Sequence, residues 1–231
     1  MKTRHTGVLG KQWQRKSWQK QHEEALSTSS FLTNLYRQMY QPMAAKVAPK
    51  KVVKVLREAG VVGLLLGTHG IGGYRSEPRA TQVVAVLIKK RDHHKAIRAI
   101  QSAFPKLEVH DTPVVTRFVD PHNGRPVIDL MRPTASLFKV AFRFSRLVGE
   151  SHRVPELELA LVTKFAAMVS PNRAPAKKLI DAGDFVDIVI KNLPKIDNDK
   201  LIMLANMVYI RGGIEIIELV RDVEAGRPIR I

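Results

Sequence analysis

Leu66-Gly-Thr-His-Gly-Ile-Gly-Gly-Tyr-Arg-Ser-Glu-Pro-Arg-Ala-Thr-Gln-Val-Val-Ala-Val-Leu-Ile88 is the stretch on which the reading of this chain turns. It is entered from Val61-Val-Gly-Leu-Leu-Leu66, a short apolar run that empties into glycines, as a buried strand does when it feeds a loop. It ends in a second apolar run over 83–88, read as another buried strand. Upstream, Val52, Val53, Leu56 and Ala59 fall at helical spacing before Gly60, a C-terminal stop.

Downstream the pattern predicts a helix over about 92–104, then two strands at 114–119 and 126–131. These flank Asp120-Pro-His-Asn-Gly124, a strong turn signal, so they should pair antiparallel. Beyond residue 155 the chain reads as helical. Leu157, Leu161, Phe165 and Met168 mark one face, and helices follow near 176–191, 197–209 and 214–220. The order predicts an α+β fold, a mixed sheet with flanking helices and a C-terminal helical cap. The expected division is a basic, flexible tail over 1–45, an α/β core over 46–150 and a helical region over 151–231 packed on the core.

Composition narrows the partners. The 231 residues carry a formal charge of +17, which favours polyanions such as RNA, DNA and nucleotides. No apolar run reaches the roughly 20 residues needed to cross a bilayer, so no membrane partner is expected and a cytoplasmic location is. Cysteine is absent, which removes disulfide and thiolate chemistry. The histidines lack ligand spacing, and no metal or zinc site is expected. In the tail, Lys11, Arg15, Lys16 and Lys20 could pair with phosphates while Trp13 and Trp18 stack on bases. The bland alternative is a solvated extension, with Met43 as a second candidate start.

The central stretch resembles the polymerase-β-like nucleotidyltransferases, more narrowly their minimal and abortive-infection toxin-type (AbiEii-like) members. In that family a strand ends in Gly-Gly or Gly-Ser, a short helix follows, and Arg-x-Thr leads into a strand bearing Asp-x-Asp. Here Gly67-Thr68 stands at the first element, Tyr74 in the short helix, and Arg79-Ala80-Thr81 before the strand. Val83-Val84-Ala85 replaces Asp-x-Asp. The resemblance implies a triphosphate and magnesium as cofactors, with Gly67, Thr68 and Arg79 on phosphates, Asp129 as the third carboxylate and Lys164 as a catalytic lysine. Arg75 is a further phosphate candidate, and Asp184 with Asp187 matches a looser motif of the cap. A toxin-type relative also implies an antitoxin-like protein partner.

The replacement matters because residues i and i+2 of a strand share a face, so paired aspartates there grip divalent ions against a triphosphate. Valine and alanine offer no lone pairs. Losing a clamp worth several kcal/mol implies a rate lower by several orders of magnitude. The first reading is therefore a catalytically impaired protein that retains nucleotide or RNA binding. A second is an active, toxin-like transferase acting on tRNA or protein, with metals on carboxylates such as Asp111, Asp120 or Asp129. A third is a basic nucleic-acid-binding module with no nucleotide pocket. Oligomeric state is not legible.

Overall fold

The computed structural model describes residues 6–40, 47–149 and 152–229, with side chains from Trp18 onward. Seven strands form one mixed sheet: β1 (Leu64–Leu65), β2 (Val84–Leu87), β3 (Glu108–Asp111), β4 (Val115–Asp120), β5 (Arg125–Met131), β6 (Ser145–Val148) and β7 (His152–Pro155). Their spatial order is β3-β4-β5-β2-β1-β7-β6. β2 runs parallel to β5 and antiparallel to β1, and β1 runs parallel to β7. The α+β architecture with flanking helices is as the sequence implies.

Strand alternation sorts two apolar layers. Leu65, Val84, Val86, Ile88, Phe118, Ile128 and Leu130 point to one side, where α2 (Pro49–Glu58) and α4 (His93–Ala103) close over them with Val52, Leu56, Ala96 and Ile100. Leu64, Leu66, Leu87 and Met131 point to the other. There they meet α5 (Ser136–Val140), α6 (Leu157–Val169), α7 (Pro175–Asn192), α8 (Asn198–Ala205) and α9 (Gly212–Glu224). Helix α6 is apolar around most of its circumference because it lies in the middle of this second layer, with Phe165 and Leu161 fully buried. Truncating such a side chain to alanine costs about 2–5 kcal/mol.

Two expectations are corrected. The segment 1–45 is not a tail throughout: Thr6–Tyr40 is a helix, α1. Its buried side chains are His22, Ala25, Leu26, Ser29, Thr33 and Arg37, spaced by three or four residues. The period is helical, but polar residues carry most of it, so an apolar scan passes over it. Ser29 Oγ donates to the Arg79 carbonyl, Thr33 Oγ1 to the Thr81 carbonyl and an Arg37 Nη to the Gln82 carbonyl, each at 2.7–2.9 Å. Helix α1 thereby holds the segment that leads into β2. Secondly, the region after residue 151 opens with strand β7, which completes the sheet beside β1 before the helices begin.

The predicted hairpin forms with an irregularity. Asp120 pairs with Arg125 and Val119 with Pro126, but Phe118 pairs with Ile128, so Val127 is an extra residue in β5. Such a bulge shifts the register by one beyond that point. Val127 and Ile128 are accordingly both buried on the α2/α4 side.

Candidate functional site

On the face of the sheet turned toward the C-terminal helices, three positions lie side by side. Ala85 of β2 is registered with Asp129 of β5, and Asp129 with Arg117 of β4. On the opposite flank of Ala85, the Leu66 amide donates to the Ala85 carbonyl at 2.9 Å, which places Gly67 at the next step. Val83 sits one residue before β2 and is half-buried. Ala85 and Asp129, read from the central motif and the hairpin, are therefore registered neighbours, with Arg117 beyond Asp129 and Gly67 one residue past Leu66, the partner of Ala85.

Gly67 opens α3 (Gly67–Ile71) at φ +57°, the left-handed region that an L side chain enters only at a cost of roughly 1–2 kcal/mol. A Cβ built there would meet nothing within 4 Å, so the residue borders open space. Thr68 is buried, so Gly67 rather than the Thr68 hydroxyl is presented.

Asp129 retains 22% exposure of its side chain, but its Oδ1 is buried without a hydrogen-bond partner. Arg117 Nε stands 3.6 Å away, an ion pair too long to be a hydrogen bond. Burial raises the Asp129 carboxyl above its ordinary value, and Arg117 and Lys177 partly offset this. Lys177, exposed in the first turns of α7, thus acts on the same carboxylate.

This donor set does not fit a two-cation clamp. Val83 and Ala85 have no oxygen, Asp129 is one carboxylate already facing a guanidinium, and the described residues contain no group of three or more His, Cys, Asp or Glu side chains able to hold a metal ion. Hard divalent cations require several oxygen ligands.

The cationic residues implied by the resemblance are held in ion pairs elsewhere. Lys164 is 4% exposed, and its Nζ donates to Asp181 at 2.7 Å and Asp184 at 2.6 Å. Arg79 forks onto Asp184 through Nε at 3.1 Å and Nη2 at 2.8 Å. Arg75 reaches Asp184 at 3.3 Å and Asp187 at 3.0 Å, and Arg173 reaches Asp181 at 2.6 Å. Burial works against the Asp184 carboxylate, yet bonds and charge from Arg79 and Lys164 outweigh it and hold its pKa below the ordinary value. Three aspartates thus tie four cations into a bridge between the loop after α3 and helices α6 and α7. A buried charge is retained only when paired in this way. The pair Asp184 and Asp187 is bridged by Arg75.

In α1, the side chains of Lys11, Arg15, Lys16 and Trp13 lie outside the described residues. Lys20 is exposed and pairs with Glu24 at 3.8 Å. Trp18 does not stand free for a base: it lies 4.5 Å from the His22 ring, with the Arg146 guanidinium 5.5 Å over its face. His22 and His69 are buried with both ring nitrogens unpartnered. Burial pushes His22 down to about 3, aided by His152, and His69 down to about 4, aided by Arg37 and Arg79.

Arg117, Lys177, Asp181 and Arg173 were not singled out in the sequence. Strand alternation puts Arg117 opposite in phase to Thr116 and Phe118, which is a usable signal, but its partner follows from the bulge at Val127.

No family model matches the chain, and no curated protein matches it. Solved structures are similar at low identity. One is an antigenic nucleotidyltransferase-like protein from Paracoccidioides brasiliensis, at 13% identity and a TM-score of 0.43, covering 74% of this chain and 89% of that one. Another is JHP933 from Helicobacter pylori, at 16% identity and a TM-score of 0.38, covering 76% of this chain and 90% of that one. No residue role comes with either likeness.

Proposed function

We propose that this is a nucleotidyltransferase-fold protein that binds a nucleotide or RNA phosphate on the sheet face bearing Ala85 and Asp129, without metal-dependent transfer. The observation that carries the reading is the row itself: Ala85, Asp129 and Arg117 are registered neighbours on one face, with Gly67 one residue past the partner of Ala85, yet only one of them is a carboxylate. The fold-level resemblance of the central motif supports a phosphate ligand, and the charge of +17 supports a polyanion. An antitoxin-like partner belongs to the same reading only through the toxin-type resemblance.

The test is a melting-temperature series with ATP, GTP and a short RNA, each with and without magnesium. It is combined with a labelled-nucleotide transfer assay on the parent chain and on Val83→Asp/Ala85→Asp. A ligand present at a hundred times its Kd stabilises the folded state by about 2.7 kcal/mol, an easily read shift. The expected result is a shift with no transfer by the parent. Transfer by the parent chain would overturn the reading, as would a complete lack of stabilisation by every ligand.

A further inference from the structure

We infer that Arg117 supplies the counter-charge for the ligand phosphate at this site, so that recognition proceeds without a divalent cation. The inference rests on the proposed phosphate binding and specifies what holds the phosphate.

The cations near the site divide into two sets. Lys164, Arg75, Arg79 and Arg173 are tied to Asp181, Asp184 and Asp187, and Arg132 is tied to Asp111 through two contacts at 2.8 and 2.9 Å. Each of these would give up at least one ion pair in turning to a ligand, and Arg75 and Arg132 would leave Asp187 and Asp111 without theirs. Arg117 differs: its side chain is 51% exposed, and its one acidic neighbour among the described residues is Asp129, at 3.6 Å from Nε. The terminal nitrogens meet no partner among the described residues. A guanidinium that faces a carboxylate with Nε and is open at its two terminal nitrogens is a fork suited to phosphate oxygens, which accept two parallel N–H bonds.

Three further features fit a ligand at that place. Ala85, next in the row, has only a methyl group, where a carboxylate would repel a phosphate. Gly67 borders open space beyond it. Asp129 faces Arg117 across 3.6 Å with no hydrogen bond to its buried Oδ1, so it leaves the guanidinium free to take a ligand. Arg117 and Lys177 both act on the one carboxylate of Asp129, so the local charge is one cation in excess, the sign a phosphate needs. The arrangement amounts to a site whose cations are covalently part of the chain.

The experiment is calorimetric titration of the full chain with ATP and with inorganic pyrophosphate, in EDTA and in magnesium. The variants are Arg117→Gln, Arg117→Lys, Asp129→Asn and, as a control in the exposed turn, Arg125→Gln. The expected result is binding in EDTA at least as tight as in magnesium, weakened about tenfold or more in Arg117→Gln and less in Arg117→Lys. Binding should be unchanged in Arg125→Gln, and unweakened in Asp129→Asn, where the charge opposing phosphate is gone. Binding that needs magnesium, or Arg117→Gln binding like the parent with an unchanged melting temperature, overturns this inference and leaves the proposed function standing. Failure of both ligands in both buffers removes this inference, and the proposed function then rests on the GTP and RNA arms of its own test. Should Arg117→Gln melt early, Arg117→Lys retains the charge and decides alone: equal affinity to the parent contradicts recognition by the fork.

Discussion

Acidification from pH 7 to pH 5 should sharply destabilise this protein, because its interior holds histidines in the neutral form. His22, His69 and His152 are each buried, and burial lowers their pKa from 6.5 to about 3, about 4 and about 4. Folded pKa values below the unfolded one mean that the unfolded chain binds more protons between roughly pH 4 and 6.5. Stability is therefore complete above that window and falls as pH falls through it. Over the interval from pH 7 to pH 5 the folded groups scarcely titrate, so the loss is governed by the unfolded pKa and comes to roughly 1.9 kcal/mol per histidine. Three such groups give about 5–6 kcal/mol, against a total of about 5–15 kcal/mol for an ordinary domain. At this chain length that is a fall in melting temperature of roughly 10–20 °C. Asp129, whose carboxyl is raised by burial, works in the opposite sense and trims the slope slightly. Urea unfolding at closely spaced pH values measures the dependence directly. His22, whose ring stands 4.7 Å from Tyr74 and makes no hydrogen bond, can be replaced by leucine, and His22→Leu should flatten the slope by about a third. A flat profile between pH 7 and 5, or an unchanged slope in His22→Leu, would refute the reasoning.

Removing the ammonium from the buried bridge should also be costly: Lys164→Met leaves Asp181 and Asp184 facing each other with fewer counter-charges, and the expected loss in denaturant unfolding is about 3–5 kcal/mol. Because Lys164 does not stand in the row with Ala85 and Asp129, this variant, assayed below its melting temperature, should keep its affinity for phosphate ligands. Arg37 donates to the Gln82 carbonyl at 2.7 Å from a buried position, so Arg37→Met should cost about 1–3 kcal/mol. Hydrogen exchange should accelerate first over residues 79–83, the segment that α1 holds.

Much of the fold was readable because it rests on apolar periodicity. The helices Pro49–Glu58, His93–Ala103, Leu157–Val169 and Pro175–Asn192 lie within a few residues of their predicted bounds, since each carries its core face in valine, leucine, isoleucine or phenylalanine. Helix α1 escaped because serine, threonine, histidine and arginine occupy its inward face and earn their burial through hydrogen bonds to a distant segment. Strands β6 and β7 escaped for a different reason: they are four residues each, and their alternation includes His152, Arg153 and Arg146. At the site, the position of Gly67, Ala85 and Asp129 was implied by the motif, whereas the partners of Lys164 and Arg79 depended on how α6 and α7 cross the loop after α3. No spacing along the chain encodes that crossing.

The extra residue at Val127 gives β5 one residue more than its pairing requires. Were Val127 deleted while the turn at 121–124 kept its shape, the ladder would close into regular alternation, with Ile128 still opposite Phe118 and Asp129 still opposite Arg117; the strand would lose a buried valine and the local bend of the bulge, and the site would keep its place. Descendants of this sequence should therefore be found with and without the spare residue, Asp129 facing Arg117 in both.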